Sequence, residues 1–110
     1  MMRTALIALV LTLSLTVAAP AFAKPRSIKI GDNYFVRSSG VPTVKVKHGK
    51  VVKWKWTGHH EHNVVASGPA SFHSALKSSG SFSKKVTKKG TYTIICQIHS
   101  GMRMKLKVTK

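Results

Sequence analysis

The last quarter of the chain holds three side chains that can bind a metal ion. Cys96, His99 and Met102 follow one another at intervals of three residues, and Cys96 is the only cysteine in the sequence. A thiolate, an imidazole and a thioether are soft ligands, which favour copper or zinc over magnesium or calcium. Gly101 permits a turn within this segment, so the three side chains can face one point. The spacing predicts a metal site in one tight loop.

Such a site needs a further ligand from elsewhere in the chain. His62 is the best candidate, because it begins the β-branched segment that contains Val64 and Val65, where strand hydrogen bonds would fix its direction. With His62 nearby, the site could hold one copper ion and pass one electron. The remaining histidines lack such a setting and are interpreted as surface or loop residues: His48, His59, His60 and His73.

Each candidate ligand also has an ordinary structural interpretation. Cys96 could be a buried thiol, and Met102 and Met104 could fill gaps in a core. The presence of Met104 leaves the thioether ligand open. Met102 is favoured because Met104 leads into the alternating segment 105–108, which is typical of a strand. The combination of these residues around an unpaired cysteine favours metal binding.

Alternating apolar and polar residues predict the strands that must position these ligands. Trp54 and Trp56 alternate with lysines, and Tyr92, Ile94 and Cys96 share one face of a strand, which points Cys96 toward the core. Strands are predicted within 28–30, 43–47, 52–56, 62–66, 82–86, 91–96 and 105–108, with a further apolar run at 34–36.

About seven to eight short strands separated by turn signals indicate one all-β domain, a sandwich or a small barrel. The long connection 67–80 is rich in Ser, Gly and Pro. Within it, Phe72, Ala75 and Leu76 have the spacing of one helical turn.

The first 23 residues have the features of a cleavable signal peptide. Arg3 precedes an almost continuously apolar run at 5–19, and small residues at Ala21 and Ala23 fit a cleavage site. The run is shorter than the roughly 20 residues that span a bilayer. We therefore predict a signal peptide at 1–23, a mature domain at 24–110, and export to the periplasm, the cell envelope or the extracellular space.

The charge is strongly unbalanced, with 19 Lys and Arg residues against two acidic residues and a net charge of +17. Such a field favours acidic partners and anionic membrane or wall surfaces. Nucleic acid is disfavoured, because aromatic residues are not interleaved with the exposed lysines as stacking platforms. Ser-His-Asp catalysis lacks support, because Asp32, the only aspartate, lies in a turn signal. We expect a monomer that is not an enzyme.

Three segments resemble the plastocyanin and amicyanin branch of the cupredoxins, the small type 1 blue copper proteins. They are 49–54, the His-Asn-Val-Val sequence at 62–65, and 90–102, which contains Cys-x-x-His-x-x-Met. The resemblance covers about 28–108, and its loop spacing is that of the amicyanin type. It implies a Greek-key β-sandwich with one type 1 copper ion near one end.

The resemblance also implies the roles of the site residues. Copper would be held by His62, Cys96 and His99, with Met102 as a weak axial ligand. Asn63 would brace the cysteine sulfur and tie the two ligand segments together.

By the same resemblance, electrons would pass through the edge of His99 in an apolar patch. Ile98 would rim that patch, and Pro42 and Pro69 are further candidates. A transient complex with an acidic redox partner would form there. The implied function is an exported electron-transfer protein that shuttles one electron between Cu(I) and Cu(II).

The sequence also departs from the family pattern. Glu61 stands where a proline often precedes the first ligand histidine, and Ile95 replaces an exposed tyrosine beside the copper cysteine. The acidic docking patch of plastocyanin is missing, so that docking mode does not transfer. Two alternative functions are a copper carrier that uses His59, His60 and the methionines, and a polyanion-binding module with a structural metal.

Overall fold

The computed structural model describes residues 24–37 and 40–110, which form nine β-strands and no helix. This confirms the predicted all-β class, and the strand count exceeds the expected seven to eight by the two-residue strand Phe72–His73, which was not predicted. The strands are β1 Arg26–Gly31, β2 Tyr34–Phe35, β3 Thr43–Lys47, β4 Lys50–Trp56, β5 Val65–Ser67, β6 Phe72–His73, β7 Ser81–Val86, β8 Gly90–Ile95 and β9 Arg103–Thr109.

The strands form two mixed sheets. The first has the order β2-β1-β4-β7, and the second has the order β3-β9-β8-β5-β6. β1 runs parallel to β4 and β3 runs parallel to β9, whereas the other pairs are antiparallel. The chain therefore crosses from the first sheet to the second between β4 and β5, in the segment that contains His62.

The core between the sheets follows from the period of two in the strands. In β9, Met104, Leu106 and Val108 are buried while the basic residues between them are exposed. Trp54 of β4 is fully buried, and its ring centroid lies 5.9 Å from both Phe72 and Phe82. Large apolar side chains of this kind supply most of the stability of a small domain.

The helical turn predicted around Phe72, Ala75 and Leu76 is wrong. Phe72 belongs instead to β6, which pairs antiparallel with Val65 and Ala66 of β5. The ring of Phe72 lies 6.0 Å from that of Tyr92, so packing against the sheet outweighs the weak local helical pattern.

The predicted signal peptide at 1–23 lies outside the described residues. Among the described residues, no helix has the length and apolar character needed to cross a membrane.

Candidate metal centre

The segment 96–102, the ligand loop, connects β8 to β9 and is closed by its own backbone. The N–H of Cys96 donates to the carbonyl of Met102 at 3.1 Å, and the N–H of Met102 donates to the carbonyl of His99 at 3.3 Å. Gly101 has a φ of 78°, a left-handed conformation that favours glycine. These bonds fix Cys96, His99 and Met102 in one turn.

His62 reaches the same place from the segment between β4 and β5, and both its backbone N–H and its carbonyl are hydrogen-bonded. Its N–H donates to the carbonyl of Lys77 at 2.9 Å, and its carbonyl accepts from the N–H of Lys77 at 3.0 Å. The same carbonyl accepts from Nε1 of the buried Trp56 at 3.2 Å. The imidazole is fully buried, so its direction is set by the fold.

Three possible ligand atoms converge between these two segments. Nδ1 of His62 lies 3.1 Å from Nδ1 of His99, and Sγ of Cys96 lies 3.9 Å from the first nitrogen and 3.5 Å from the second. Cys96 is only 4% exposed, whereas His99 is half-buried. The cluster is therefore enclosed on the side of His62 and reaches solvent on the side of His99.

The donor set and its spacing fit a metal ion. Three ligands in a plane around one ion, each about 2.0–2.3 Å away as for zinc, would lie about 3.5–4.0 Å apart. The two separations from Sγ of Cys96, 3.5 and 3.9 Å, fall in that range, and the separation of 3.1 Å between the two Nδ1 atoms is shorter. Burial lowers the pKa of His62, which keeps the imidazole neutral as ligation requires. Two imidazoles and a thiolate are the donor set of electron-transfer copper sites.

Residues 27–109 match the sequence model of the copper-binding proteins of the plastocyanin/azurin family. The chain belongs to this family. Its cofactor is copper, and His62, Cys96 and His99 are arranged as in a type 1 copper site.

Solved structures of cupredoxins have the same fold. A reduced amicyanin in which tyrosine replaces a tryptophan is 25% identical, with a TM-score of 0.66 over 76% of this chain and 81% of that chain. An oxidised amicyanin in which glycine replaces a proline is 27% identical, with a TM-score of 0.65 over 83% of this chain and 88% of that chain.

Two more distant structures show the fold alone. A purple cupredoxin from Nitrosopumilus maritimus is 21% identical, with a TM-score of 0.63 over 76% of this chain and 99% of that chain. A copper-containing nitrite reductase from Thermus scotoductus SA-01 is 20% identical, with a TM-score of 0.70 over 79% of this chain. This chain spans only 23% of the reductase chain.

The two methionines of this cupredoxin occupy different positions. Met102 is 3% exposed and lies in the ligand loop, where its backbone bonds both Cys96 and His99. Met104 is fully buried in β9 and pairs with Ile94 of β8. Met102 therefore belongs to the loop that carries Cys96 and His99, whereas Met104 belongs to the strand that follows it.

Asn63 connects the two segments of the cupredoxin site. Its Nδ2 donates to Oε1 of Gln97 at 2.8 Å, and its Oδ1 accepts from the backbone N–H of Gln97 at 2.9 Å. Gln97 follows Cys96 directly, so the buried Asn63 ties the residue after His62 to the residue after Cys96. The bracing of the cysteine sulfur by Asn63 stays a prediction.

Asp32 lies beside the site, although the sequence indicated only a turn there. Its Oδ1 accepts from the backbone N–H groups of His59 at 2.8 Å and His60 at 2.9 Å, and it lies 3.5 Å from Nε2 of His62. The His60 N–H, with smaller effects of His59 and His62, lowers the pKa of Asp32 to about 2. The one available sequence signal was a lone aspartate in a chain of very few acidic residues.

The electron-exit patch stays a prediction, and the residues named for it do not all lie together. Ile98 is 49% exposed next to the half-buried His99, and Pro42 precedes β3 with its carbonyl bonded to Lys105 of β9. Pro69 does not belong to this patch. It packs against Gly90 at the start of β8, whereas the ligand loop follows the end of that strand.

Proposed function

We propose that this cupredoxin is an exported, single-site blue copper protein that transfers one electron at a time. His62, Cys96 and His99 are the proposed equatorial ligands, and Met102 is the proposed weak axial ligand. The observation that carries the proposal is the convergence of two Nδ1 atoms and one Sγ atom from two separate segments.

Bound copper would supply one-electron chemistry by alternating between Cu(I) and Cu(II). The protein's contribution is a site whose residues hold their positions without the metal. The backbone of His62 is held by two hydrogen bonds with the backbone of Lys77 and one from the indole N–H of Trp56, and the ligand loop is closed by two backbone bonds of its own. Fixed ligands need little rearrangement when charge changes, which is the property that rapid electron transfer requires.

The half-buried edge of His99 is the proposed route for electrons. Large apolar side chains that are exposed lie around this end of the sandwich. Ile98 is in the ligand loop, Ile95 precedes it, and Leu76 adjoins Lys77, which bonds His62. Val41 is also exposed and precedes Pro42. A partner could bury this apolar patch transiently and bring its own redox group close to His99.

The positive field would select an acidic redox partner. Lys45 and Lys107 are direct neighbours on the outer face of the second sheet, and Lys29 and Lys55 are neighbours on that of the first. Both broad faces are therefore basic, which increases the association rate with an acidic protein and weakens that effect as salt rises. The same charge supports association with an anionic membrane or wall surface. We propose a monomer that does not bind nucleic acid.

Export rests on the sequence of the first 23 residues, and we propose cleavage after Ala23 and a periplasmic or extracellular mature domain at 24–110. The N-terminal sequence of the protein purified from its native compartment tests this. A mature N-terminus at Lys24 is expected, and an intact Met1 in the exported fraction would contradict it.

We propose that the chain is not an enzyme. The nitrite reductase shares the fold at 20% identity, and this chain corresponds to less than a quarter of that protein. Within the described residues, His62, Cys96 and His99 form the one cluster of three or more metal-binding side chains drawn from His, Cys, Asp and Glu.

A copper carrier is the second candidate, and one observation favours it. The exposed His60 has its ring centroid 6.4 Å from those of both His62 and His99, so it could guide an ion into or out of the site. A carrier would release copper rapidly to a chelator, and His60→Ala would slow that release.

Visible absorption and EPR spectra of the mature protein loaded with Cu(II) test the proposed function. An intense blue band that disappears in Cys96→Ser is the expected result, because the band requires a thiolate ligand. A pale histidine-type spectrum that is unchanged in Cys96→Ser would contradict the electron-transfer proposal and support the carrier.

A further inference from the structure

Asp32 occupies a position built by the segment that leads into His62. It lies in the turn after β1, and its Oδ1 accepts two backbone N–H groups, from His59 and His60. Residues 57–60 wrap closely around the carboxylate, since a Cβ atom at Gly58 would overlap it. The N–H and the hydroxyl of Thr57 both donate to the carbonyl of Ile30, which holds this segment against the end of β1.

The same carboxylate oxygen faces the ring of His62 on the side away from the ligand cluster. Nε2 of His62 is fully buried, and Oδ1 of Asp32 lies 3.5 Å from it. An ionised carboxylate can only accept hydrogen bonds. A lone pair on Nε2 would be repelled by this carboxylate, whereas an N–H on Nε2 would be attracted to it. The arrangement therefore favours the proton of neutral His62 on Nε2.

The position of this proton decides what the other nitrogen can do. A neutral imidazole carries one proton, so His62 with Nε2–H has a free lone pair on Nδ1. That nitrogen faces Nδ1 of His99 at 3.1 Å, and two lone pairs at this distance would repel each other. In the metal-free protein, His99 must then carry its proton on Nδ1 and donate it to His62.

We infer that Asp32 is a positioning residue for the metal centre, which holds the proton of His62 on Nε2 and leaves Nδ1 ready to bind before the metal arrives. The inference rests on the proposed ligand set. His62 is preformed, whereas His99 must move its proton from Nδ1 to Nε2 before it can bind through Nδ1. Carboxylates that orient a metal-binding histidine in this way change metal affinity by about ten- to a hundredfold.

The tautomers can be read directly in the metal-free mature protein. Long-range 1H–15N correlation spectra at mildly alkaline pH distinguish a protonated ring nitrogen from an unprotonated one. We expect Nε2–H on His62 and Nδ1–H on His99. A proton on Nδ1 of His62 in the wild-type protein would overturn the inference, whatever the copper spectrum shows.

Variants of Asp32 test the consequence for binding, with Glu61 as the matched control. Asp32→Asn keeps a carbonyl acceptor, so His62 should keep Nε2–H while Cu(I) affinity falls about tenfold. Asp32→Ala removes the acceptor and should give mixed tautomers and a loss of affinity toward a hundredfold. Glu61→Gln removes the same charge from the exposed residue next to His62 and should leave both measurements unchanged.

The outcomes separate this inference from the proposed function. Equal losses of Cu(I) affinity in Asp32→Ala and Glu61→Gln would overturn the role of Asp32 while the blue band of the wild type stays intact. If Asp32→Ala does not fold, the wild-type tautomer and Asp32→Asn decide the question. A wild-type protein with the expected tautomers and no blue band would contradict the proposed function alone.

Discussion

Met102 and Met104 allow the proposed axial ligand to be separated from the core by experiment. Both are methionines, both are at most 3% exposed, and they are two residues apart. The structure gives them different neighbours, since the carbonyl of Met102 bonds Cys96 whereas Met104 pairs with Ile94. Replacing each by leucine removes the thioether and keeps a similar volume.

We expect the two leucine variants to differ in the copper spectrum and not in stability. Volume-conserving changes of this kind cost less than about 1.5 kcal/mol of unfolding free energy. Met102→Leu should shift the visible and EPR spectra of the Cu(II) protein, because a weak axial sulfur tunes this type of site. Met104→Leu should leave both spectra as in the wild type.

The alanine variant of Met104 gives the complementary result. Truncating a fully buried methionine costs about 2–5 kcal/mol, from lost burial and from the cavity left behind. For a domain of under 100 residues this corresponds to a fall of about 8–40 °C in Tm, at about 4–8 °C per kcal/mol. Urea and thermal unfolding of the metal-free protein measure this loss, and the blue band should persist below the new Tm.

One result would contradict the assignment of Met102 as the axial ligand. If Met104→Leu shifted the Cu(II) spectrum while Met102→Leu did not, the axial ligand would be Met104, and the ligand loop would have to be arranged differently from the structure described above.

Three further predictions concern stability. Asn63→Ala removes two hydrogen bonds to Gln97 from a buried side chain and should lower the free energy of unfolding, measured by urea titration, by about 1–3 kcal/mol. Gln97→Ala removes only the bond that Nδ2 of Asn63 donates and should lower it by less. Tyr92→Phe removes a 2.7 Å bond to the carbonyl of Lys88 and should cost about 0.5–1.5 kcal/mol at neutral pH. Burial raises the pKa of Tyr92, so the unfolded chain ionises this tyrosine at a lower pH than the folded protein does. The free energy of unfolding of the wild type should therefore fall as the pH rises above 10.0, and that of Tyr92→Phe should fall less steeply. Parallel curves of unfolding free energy against pH would contradict this. At a free copper concentration 100 times the Kd of the site, bound copper should raise the free energy of unfolding by about 2.7 kcal/mol, and removing the copper should abolish this gain. His62→Ala should show a much smaller difference in the free energy of unfolding between its loaded and metal-free forms.

The period of two was sufficient to predict β3, β4, β8 and β9, but the strand predicted over 62–66 begins only at Val65, so His62 lies outside it in an isolated bridge with Lys77. β3, β4, β8 and β9 alternate regularly between buried and exposed residues, and the sequence shows this alternation directly. β6 was missed because two residues cannot show a period, and its position depends on the packing of Phe72 against Trp54 and Tyr92.

The parts of the site that depend on distant segments were harder to predict. His62 could be chosen because β-branched residues follow it, but its hydrogen bonds to Lys77 and Trp56 leave no local pattern. The contact of Asp32 with the 59–62 segment joins residues 27 or more positions apart, so the sequence indicated only a turn. Pro69 was predicted near the ligand loop but lies against Gly90 at the other end of β8, a contact between distant segments that leaves no local pattern either.

The ligand cluster joins the segment between β4 and β5 to the ligand loop, and this has a consequence for the unfolded chain. His62 and Cys96 are 34 positions apart, and an ion held by both would act as a cross-link between them. A covalent cross-link that closes a loop of this length raises the free energy of the unfolded ensemble by about 4 kcal/mol at 25 °C, because it reduces the entropy of that ensemble. In a chain whose one cysteine has no partner for a disulfide, the metal can take over that role reversibly, and it can be withdrawn by a chelator rather than by a reductant.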